Sequence, residues 1–261
     1  MSVIQEAAAL LDGAAAERQE VDQFPPGHFT LEQAYEIQRA SIQRRIERGE
    51  RHKGIKLGFT SRAKMIQMGV DSLIWGLLTD SMIEEDGGIV SLSRYIHPRV
   101  EPEVCFVTRR VIDAPLTSLE AVDYLEAVAP ALEIIDSRYR NFKFSLEGVV
   151  ADNCSSAGVV IGPWSRRFDC LANAGVRVQF DGRDVLVGST AAILGHPLRS
   201  VVQASRLLHG AQMSLPAGSL IMAGGATAAE ALRPGLHVQC RVGSGSGALG
   251  QVTFTTTGAA R

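Results

Sequence analysis

The chain has 261 residues, of which 46% are hydrophobic and 21% are charged, as is typical of a globular protein. Its 26 basic and 28 acidic residues give a formal net charge of -2, so no long-range attraction to nucleic acid or to an anionic membrane is expected. The sequence has no apolar run of about 18 residues that could form a membrane-spanning helix. Four cysteines without a Cys-x-x-Cys pair, and an N-terminus unlike a signal peptide, predict a cytoplasmic protein without a disulfide framework or a structural zinc site.

Residues 1–52 are predicted to form a helical N-terminal region. The Ala-rich stretch 2–20 favours a first helix. A second helix is expected to begin after Thr30, whose side chain can form a capping box with Gln33. This helix is expected to run to about Glu47 and to stop at the glycine that follows shortly after it.

Residues 53–261 have a different sequence pattern, in which short apolar runs alternate with Gly, Pro and Asp turns. This pattern predicts an α+β domain that is rich in strands and lies behind the helical region. The predicted strands are 54–59, 88–92, 99–108, 130–136, 157–162, 175–180, 184–189, 218–223, 236–242 and 250–257. The predicted helices are 61–68, 117–127 and 197–210.

Three glutamates carry the strongest functional signal. Glu101 and Glu103 are two residues apart in a predicted strand, so their side chains should lie on the same face. Pro102 between them has no N–H group, which favours an edge or a bulge at that point. A solvated strand face would explain the pair alone. However, Glu133 stands inside the apolar run Ala131–Ile135, where an unpaired carboxylate would be costly.

Buried carboxylates that share one site cannot all stay ionised without a cation. Ligation by oxygen atoms alone suits a hard cation, so Mg²⁺ is expected and Mn²⁺ is possible. Three carboxylates and one dication leave a net negative charge, and an anionic substrate would therefore need basic residues nearby. Lys56, between Ile55 and Leu57, is predicted to be semi-buried, and a buried lysine usually has a role.

Two further groups of polar residues have open alternatives. Arg99 and Arg138 could balance charge at the site or form ordinary surface salt bridges. The segment Asp152–Ser156 could be a turn with Asx and Ser hydrogen bonds, or a set of amide and hydroxyl donors for a carboxylate. Residues 245–250 match G-x-G-x-x-G, but a strand pattern follows them, which favours a turn over a dinucleotide site.

Six segments resemble the hydratase/decarboxylase branch of the fumarylacetoacetate hydrolase superfamily, in the same order and over nearly the whole chain. They are GIKLGFTS (54–61), HPRVEPEVCFV (97–107), PALEIIDSRYRNFKF (130–144), DNCSS (152–156), LGHP (194–197) and GGAT (224–227). Within that branch, HPRVEPE and SRYRNFKF are more similar to the decarboxylases than to the hydratases. Cys154 departs from the pattern, because a small Ala is usual there.

The resemblance implies a mixed β-sandwich or roll with flanking helices and a catalytic domain over 53–261. It implies that Glu101, Glu103 and Glu133 hold Mg²⁺ and that Lys56 takes part in catalysis with them. Residues expected to bind the substrate are Thr60, Ser61, Arg99, Arg138, Asn153, Ser155, Ser156 and Thr227.

The activity implied by the resemblance is Mg²⁺-dependent decarboxylation of 4-oxalocrotonate, a small anionic 2-oxo-enedioate, in the meta-cleavage pathway of aromatic catabolism. One alternative is hydration of 2-hydroxypenta-2,4-dienoate. A second is an inactive partner that stabilises a paralogue, although a complete set of three glutamates with Lys56 argues against it. A homo-oligomer is expected by resemblance, and a complex with the hydratase of the pathway is possible.

Overall fold

A computed structural model describes residues 2–61, 65–66 and 72–258. Its longer helices are α1 (Val3–Glu17), α2 (Leu31–Glu47), α3 (Leu146–Ala151) and α4 (Leu198–Gly210). Its strands are β1 (His52–Gly58), β2 (Ile74–Thr79), β3 (Ile83–Glu84), β4 (Ile89–Ser91), β5 (Arg99–Thr108), β6 (Leu125–Ile135), β7 (Ser156–Ile161), β8 (Gly175–Phe180), β9 (Arg183–Ser189), β10 (Leu220–Met222), β11 (Glu230–Ala231), β12 (His237–Val242) and β13 (Gly250–Thr257).

The strands form two sheets. The larger sheet has the order β2-β1-β10-β5-β6-β7-β3, with β11 paired to β5, and the smaller sheet has the order β4-β13-β12-β8-β9. Val104 and Leu132, on one face of β5 and β6, share a buried cluster with Val178 and Phe254 of the smaller sheet. Because side chains alternate between faces, the odd-numbered residues of β5, including both glutamates, lie on the opposite face. The predicted α+β fold with mixed sheets is confirmed.

The N-terminal helices pack beside the larger sheet. A second buried cluster joins α1 and α2 to Ile74, Tyr139 and α3. The buried Gln38 of α2 donates to the carbonyl oxygens of Trp75 and Val150, at 3.0 and 2.9 Å. Both predicted helices are confirmed, and the capping box of Thr30 and Gln33 begins α2 as expected. The division at residue 52 stays a prediction, because these contacts tie the helices closely to the rest of the chain.

All ten predicted strands are found, within a few residues at their ends, and so is the helix over 197–210. The predicted helix at 117–127 is wrong: a short 3-10 helix covers Ala121–Tyr124, and β6 begins at Leu125 because this apolar run pairs with β5 and β7. The predicted helix at 61–68 lies mostly outside the described residues. Strands β2, β3 and β11 and helix α3 were missed. Among the described residues, no helix is both long enough and apolar enough to cross a membrane.

Candidate active site

Antiparallel pairing of β5 and β6 brings the three glutamates together. Glu101 lies directly opposite Glu133 in the register, and Glu103 follows two residues later on the same face. One carboxylate oxygen from each glutamate can be chosen so that all three lie within 4.8 Å of one another. Glu101, Glu103 and Glu133 are 6%, 1% and 0% exposed. The sequence prediction that these side chains share a face and a site is therefore confirmed in its geometry.

A break in the sheet makes room for the cluster. On one side β5 pairs with β10 at 105–107 and with β11 at 99–100. The segment between those two strands, 223–229, is not a strand, and it contacts β5 through the amides of Ala223 and Ala226. The amide of Gly224, at a φ of 104° that favours glycine, donates to Glu103 Oε2 at 2.8 Å. A Cβ atom on Gly225 would lie 2.7 Å from Glu101 Oε2. Pro102, whose nitrogen cannot donate, falls in this break, so β5 loses its ladder pairing on that side while it stays paired with β6 on the other.

Lys56 lies beside the cluster and is held by two acceptors. Its Nζ is 3.1 Å from Glu133 Oε2 and donates to the carbonyl oxygen of Cys154 at 3.0 Å. The lysine is 4% exposed, so it is buried more completely than the semi-buried position that was predicted. An ammonium group has three donors, and these two contacts leave one N–H group of Lys56 for another acceptor.

The carbonyl that Lys56 contacts belongs to a strained loop. Asn153, Cys154 and Ser155 have φ values of 48°, 53° and 56°, a left-handed conformation that costs free energy in residues other than glycine. The loop is held by long-range hydrogen bonds. Asn153 Nδ2 donates to Leu77 O at 2.9 Å, and Leu77 N donates to Asn153 Oδ1 at 2.7 Å. Strain that the surrounding fold supports is characteristic of functional segments.

Burial and mutual repulsion dominate the electrostatics of the cluster. Burial, followed by the nearby charge of Glu133, raises the pKa of Glu103 well above its ordinary value. Burial also raises the pKa of Glu133, although Lys56 opposes that shift. For Lys56, burial disfavours the charged form, but the neighbouring carboxylates outweigh it and raise its pKa above the ordinary value. Lys56 is therefore an ammonium ion, and it compensates only part of the acidic charge.

The carboxylate oxygens of the cluster fit a hard cation. Within the described part of the chain, Glu103 Oε1 and Glu133 Oε1 are buried and have no hydrogen-bond partner. An unsatisfied buried acceptor is costly, and a divalent cation would satisfy several such oxygens at once. The donor set consists of carboxylate oxygens only, which is what Mg²⁺ and Mn²⁺ prefer.

A cleft of about 320 Å³ opens beside the cluster. Its wall includes Glu101 and Lys56 together with the predicted substrate-binding residues Thr60, Arg99 and Ser155. Apolar and aromatic side chains provide much of the remaining surface, among them Leu57, Ile74, Ile135, Phe142, Phe144 and Val149. A pocket of this kind, with a few polar groups at one end, suits a small organic ligand.

Known proteins share this architecture. The family model for the fumarylacetoacetate (FAA) hydrolase C-terminal region matches residues 56–256. The chain is 55% identical to a 4-oxalocrotonate decarboxylase of Pseudomonas sp. over 229 residues, which is 88% of each chain. The chain belongs to the fumarylacetoacetate hydrolase family. It is also 38% identical to a 2-keto-4-pentenoate hydratase of Paraburkholderia xenovorans, over 85% of this chain and 82% of that one.

A solved structure within the family is closely similar. The 4-oxalocrotonate decarboxylase of Pseudomonas putida G7, complexed with magnesium and adipate, superposes with a TM-score of 0.90 at 36% identity, and 97% of each chain is covered. These relatives confirm the predicted resemblance to the decarboxylases of the fumarylacetoacetate hydrolase family, and with it the prediction of an enzyme.

Three of the predicted substrate-binding residues, Arg138, Asn153 and Ser156, are not among the residues that line this cleft. Arg138 donates through its Nε to Asp152 Oδ1, and it lines a second cavity of about 350 Å³ together with Ser156. Asn153 uses its side chain to bind the backbone of Leu77. Ser155 lines the glutamate cleft, whereas Ser156, the first residue of β7, lines the other cavity.

Thr227 and Ser61 are also not among the described residues that line the cleft. The hydroxyl of Thr227 donates to the carbonyl oxygen of Ala228 at 2.8 Å. Ser61 O accepts from Met65 N at 3.0 Å. Conversely, Phe142 and Phe144 line the cleft and were missed as site residues. The segment SRYRNFKF had been singled out by its resemblance to the decarboxylases, and that was the available signal.

Proposed function

We propose that this protein catalyses the Mg²⁺-dependent decarboxylation of 4-oxalocrotonate to 2-hydroxypenta-2,4-dienoate and CO₂. The observation that carries the proposal is the buried cluster of Glu101, Glu103 and Glu133, which has unsatisfied carboxylate oxygens. The cluster lies beside a cleft whose wall also includes the basic side chains of Lys56 and Arg99. The 55% identity to a decarboxylase over most of both chains supports it. A place in the meta-cleavage pathway of aromatic catabolism is part of the same proposal.

Glu101, Glu103 and Glu133 would hold Mg²⁺, or Mn²⁺ in its place. When bound, the ion supplies Lewis-acid polarisation of the substrate's 2-oxo group. The protein's own contribution begins with the fixed positions of these carboxylates. The paired strands and the Gly224 amide set them before any ligand arrives, so little reorganisation is needed during the reaction.

Lys56 is suited to hold the charge that develops on the substrate. When the bond to the far carboxyl group breaks, its electron pair moves through the alkene and ends on the 2-oxo oxygen. That oxygen then takes one proton, which gives the enol of the product. The third N–H group of Lys56 can donate to this oxygen while the other two remain on Glu133 and Cys154.

The rest of the cleft would orient the substrate and limit water. Ser155 has a buried hydroxyl without a partner among the described residues, so it can donate to the carboxylate beside the 2-oxo group. The apolar side chains Leu57, Ile74 and Ile135 exclude water from one side, which strengthens polar interactions in the cleft.

Hydration of 2-hydroxypenta-2,4-dienoate is the second candidate, because the chain is also 38% identical to a hydratase. Purified protein with Mg²⁺ should consume 4-oxalocrotonate, which can be monitored as the loss of the substrate's ultraviolet absorption. It should release one CO₂ molecule per substrate molecule. In a parallel assay it should leave 2-hydroxypenta-2,4-dienoate unchanged. Rapid hydration of the diene without decarboxylation would favour the hydratase.

An inactive stabilising partner is the non-enzymatic alternative. Calorimetric titration of the metal-free protein with Mg²⁺ should give saturable heat, whereas a partner without a metal site should give none. Size-exclusion chromatography with light scattering would test the homo-oligomer expected from the resemblance. The same experiment with added pathway hydratase would test for a complex.

A further inference from the structure

Two separate segments meet at the outer wall of the cleft. They are HPRVEPE (97–103) and SRYRNFKF (137–144), the stretches by which this chain resembles decarboxylases more than hydratases. The guanidinium carbon of Arg99 lies 4.6 Å from the centre of the Phe142 ring. The His97 ring lies 6.2 Å from the same ring. The distinguishing parts of the sequence therefore converge on one structural feature, a cation held over an aromatic face.

Arg99 is available to bind an anion. It has no acidic partner among the residues that the structure describes, whereas Arg138 and Arg94 are paired with Asp152 and Glu84. Lys56, the other cation on the cleft wall, is committed to Glu133. Phe142 limits the directions that the guanidinium group can take without neutralising its charge, which leaves its donors for a ligand.

The spacing also fits a dicarboxylate. Arg99 precedes Glu101 by two residues on the same face of β5, and such positions are about 7 Å apart. With carbon–carbon bonds of about 1.5 Å, the two carboxyl carbons of an extended six-carbon dioate are roughly 6 Å apart. One end of such a molecule can therefore lie at the glutamate cluster while the other end reaches Arg99.

We propose that Arg99, oriented by Phe142, binds the far carboxylate of the substrate and selects 2-oxo dicarboxylic acids over 2-oxo monocarboxylic acids. This inference rests on the proposed function. It assigns to Arg99 the end of the molecule that leaves as CO₂, and it assigns to Phe142 the task of positioning Arg99.

The same chemistry predicts how the contribution of Arg99 divides between binding and rate. The far carboxylate loses its negative charge as CO₂ departs, so an ion pair with Arg99 is stronger in the ground state than in the transition state. Such an interaction lowers KM without raising kcat. Replacing Arg99 by Met should therefore raise KM by about fivefold, as expected for a partly exposed ion pair, and should leave kcat unchanged or higher.

The direct test is binding of two probes that differ only at the far end, 2-oxoadipate and 2-oxohexanoate. Calorimetry in saturating Mg²⁺ should give wild-type protein an affinity for 2-oxoadipate about fivefold higher than for 2-oxohexanoate. Arg99→Met should lose that preference by weakening only the dicarboxylate. Phe142→Leu should lose part of it, because Arg99 remains but is no longer held in place.

Lys143→Met is the matched control. It removes one positive charge from the residue next to Phe142, and Lys143 is exposed and does not line the cleft. In Lys143→Met the ratio of the affinities for 2-oxoadipate and 2-oxohexanoate should stay at the wild-type value. An unchanged preference in Arg99→Met, or an equal loss in Lys143→Met, would overturn the assignment of Arg99. If neither probe binds wild-type protein in the presence of Mg²⁺, the proposed function itself fails, so the two failures are distinguishable.

Discussion

Two buried acidic clusters lie close together in this protein, and they are built in opposite ways. In one, Glu101, Glu103 and Glu133 converge beside the ammonium group of Lys56, which contacts Glu133, and one oxygen each of Glu103 and Glu133 has no partner among the described residues. In the other, Asp136 accepts from the amides of Ile96 and His97, while Asp152 accepts from the amide and the guanidinium group of Arg138. For convenience we refer to them as the glutamate cluster and the aspartate cluster.

The difference teaches that burial of acids does not by itself identify a binding site. Burial raises the pKa of Asp152 to about 6, although Arg138 opposes the shift. Burial raises the pKa of Glu103 as well, and there the neighbouring carboxylate of Glu133 adds to the effect. The aspartate cluster supplies its own donors and needs no ligand. The glutamate cluster leaves acceptors unsatisfied beside a cleft, and that deficit is what a cation would correct.

The largest expected effect is that of Glu103→Gln. Losing one of three carboxylates should abolish Mg²⁺-dependent turnover, by about a thousandfold or more, and should eliminate the heat of Mg²⁺ binding. The metal-free variant should stay folded, because the amide can still accept from Gly224 and one source of repulsion is gone. Steady-state kinetics, calorimetry and thermal unfolding monitored by circular dichroism would check each part. Near-wild-type activity of Glu103→Gln would show that the glutamate cluster does not hold the metal that the reaction needs.

The matching change in the aspartate cluster is Asp152→Asn, which also replaces a carboxylate by an amide. It should reduce stability and leave metal binding intact, the opposite of what is expected for Glu103→Gln. It removes the ion-pair partner of the buried guanidinium group of Arg138, so the free energy of unfolding should fall by about 3 kcal/mol. Mg²⁺ affinity should remain within a few-fold of wild type. Denaturant unfolding and calorimetry measure the two quantities. A loss of metal binding without a loss of stability would contradict the contrast between the clusters.

Removal of the metal should affect stability through the glutamate cluster alone. At a Mg²⁺ concentration about 100 times the dissociation constant, the folded state should gain about 2.7 kcal/mol. A melting curve recorded with Mg²⁺ and then with a chelator would show this as a shift in Tm. The shift should persist in Asp152→Asn and vanish in Glu103→Gln; equal shifts in both variants would mean that the ion binds elsewhere.

The smallest effects separate two adjacent serines. Ser155 lines the glutamate cleft, so Ser155→Ala should lower kcat/KM by about tenfold through the loss of one hydrogen bond. Ser156 lines the cavity next to the aspartate cluster, so Ser156→Ala should change kcat/KM by less than about twofold. Its stability should rise slightly, if it changes at all, since a buried hydroxyl without a partner is lost. The reverse ranking in the same assay would exchange the two assignments.

Local patterns in the sequence determined the elements that carry the glutamates. The alternation of side chains in 99–107 was enough to place Glu101 and Glu103 on one face, and the apolar run around Glu133 was enough to bury it. The capping box at Thr30 likewise predicted where α2 begins. These features depend on the period of a strand or on the first turn of a helix, and both are set by residues close together in the chain.

The tertiary structure alone decided which polar residues reach the cleft. Arg138, Asn153 and Ser156 belong to segments that the sequence placed near the substrate. In the structure Arg138 pairs with Asp152, Asn153 binds the backbone of Leu77, and Ser156 lines a different cavity. Phe142 reaches the cleft only because its loop returns to Arg99. The register between β5 and β6 and the left-handed loop at 153–155 are fixed by such long-range contacts, and no local pattern records them.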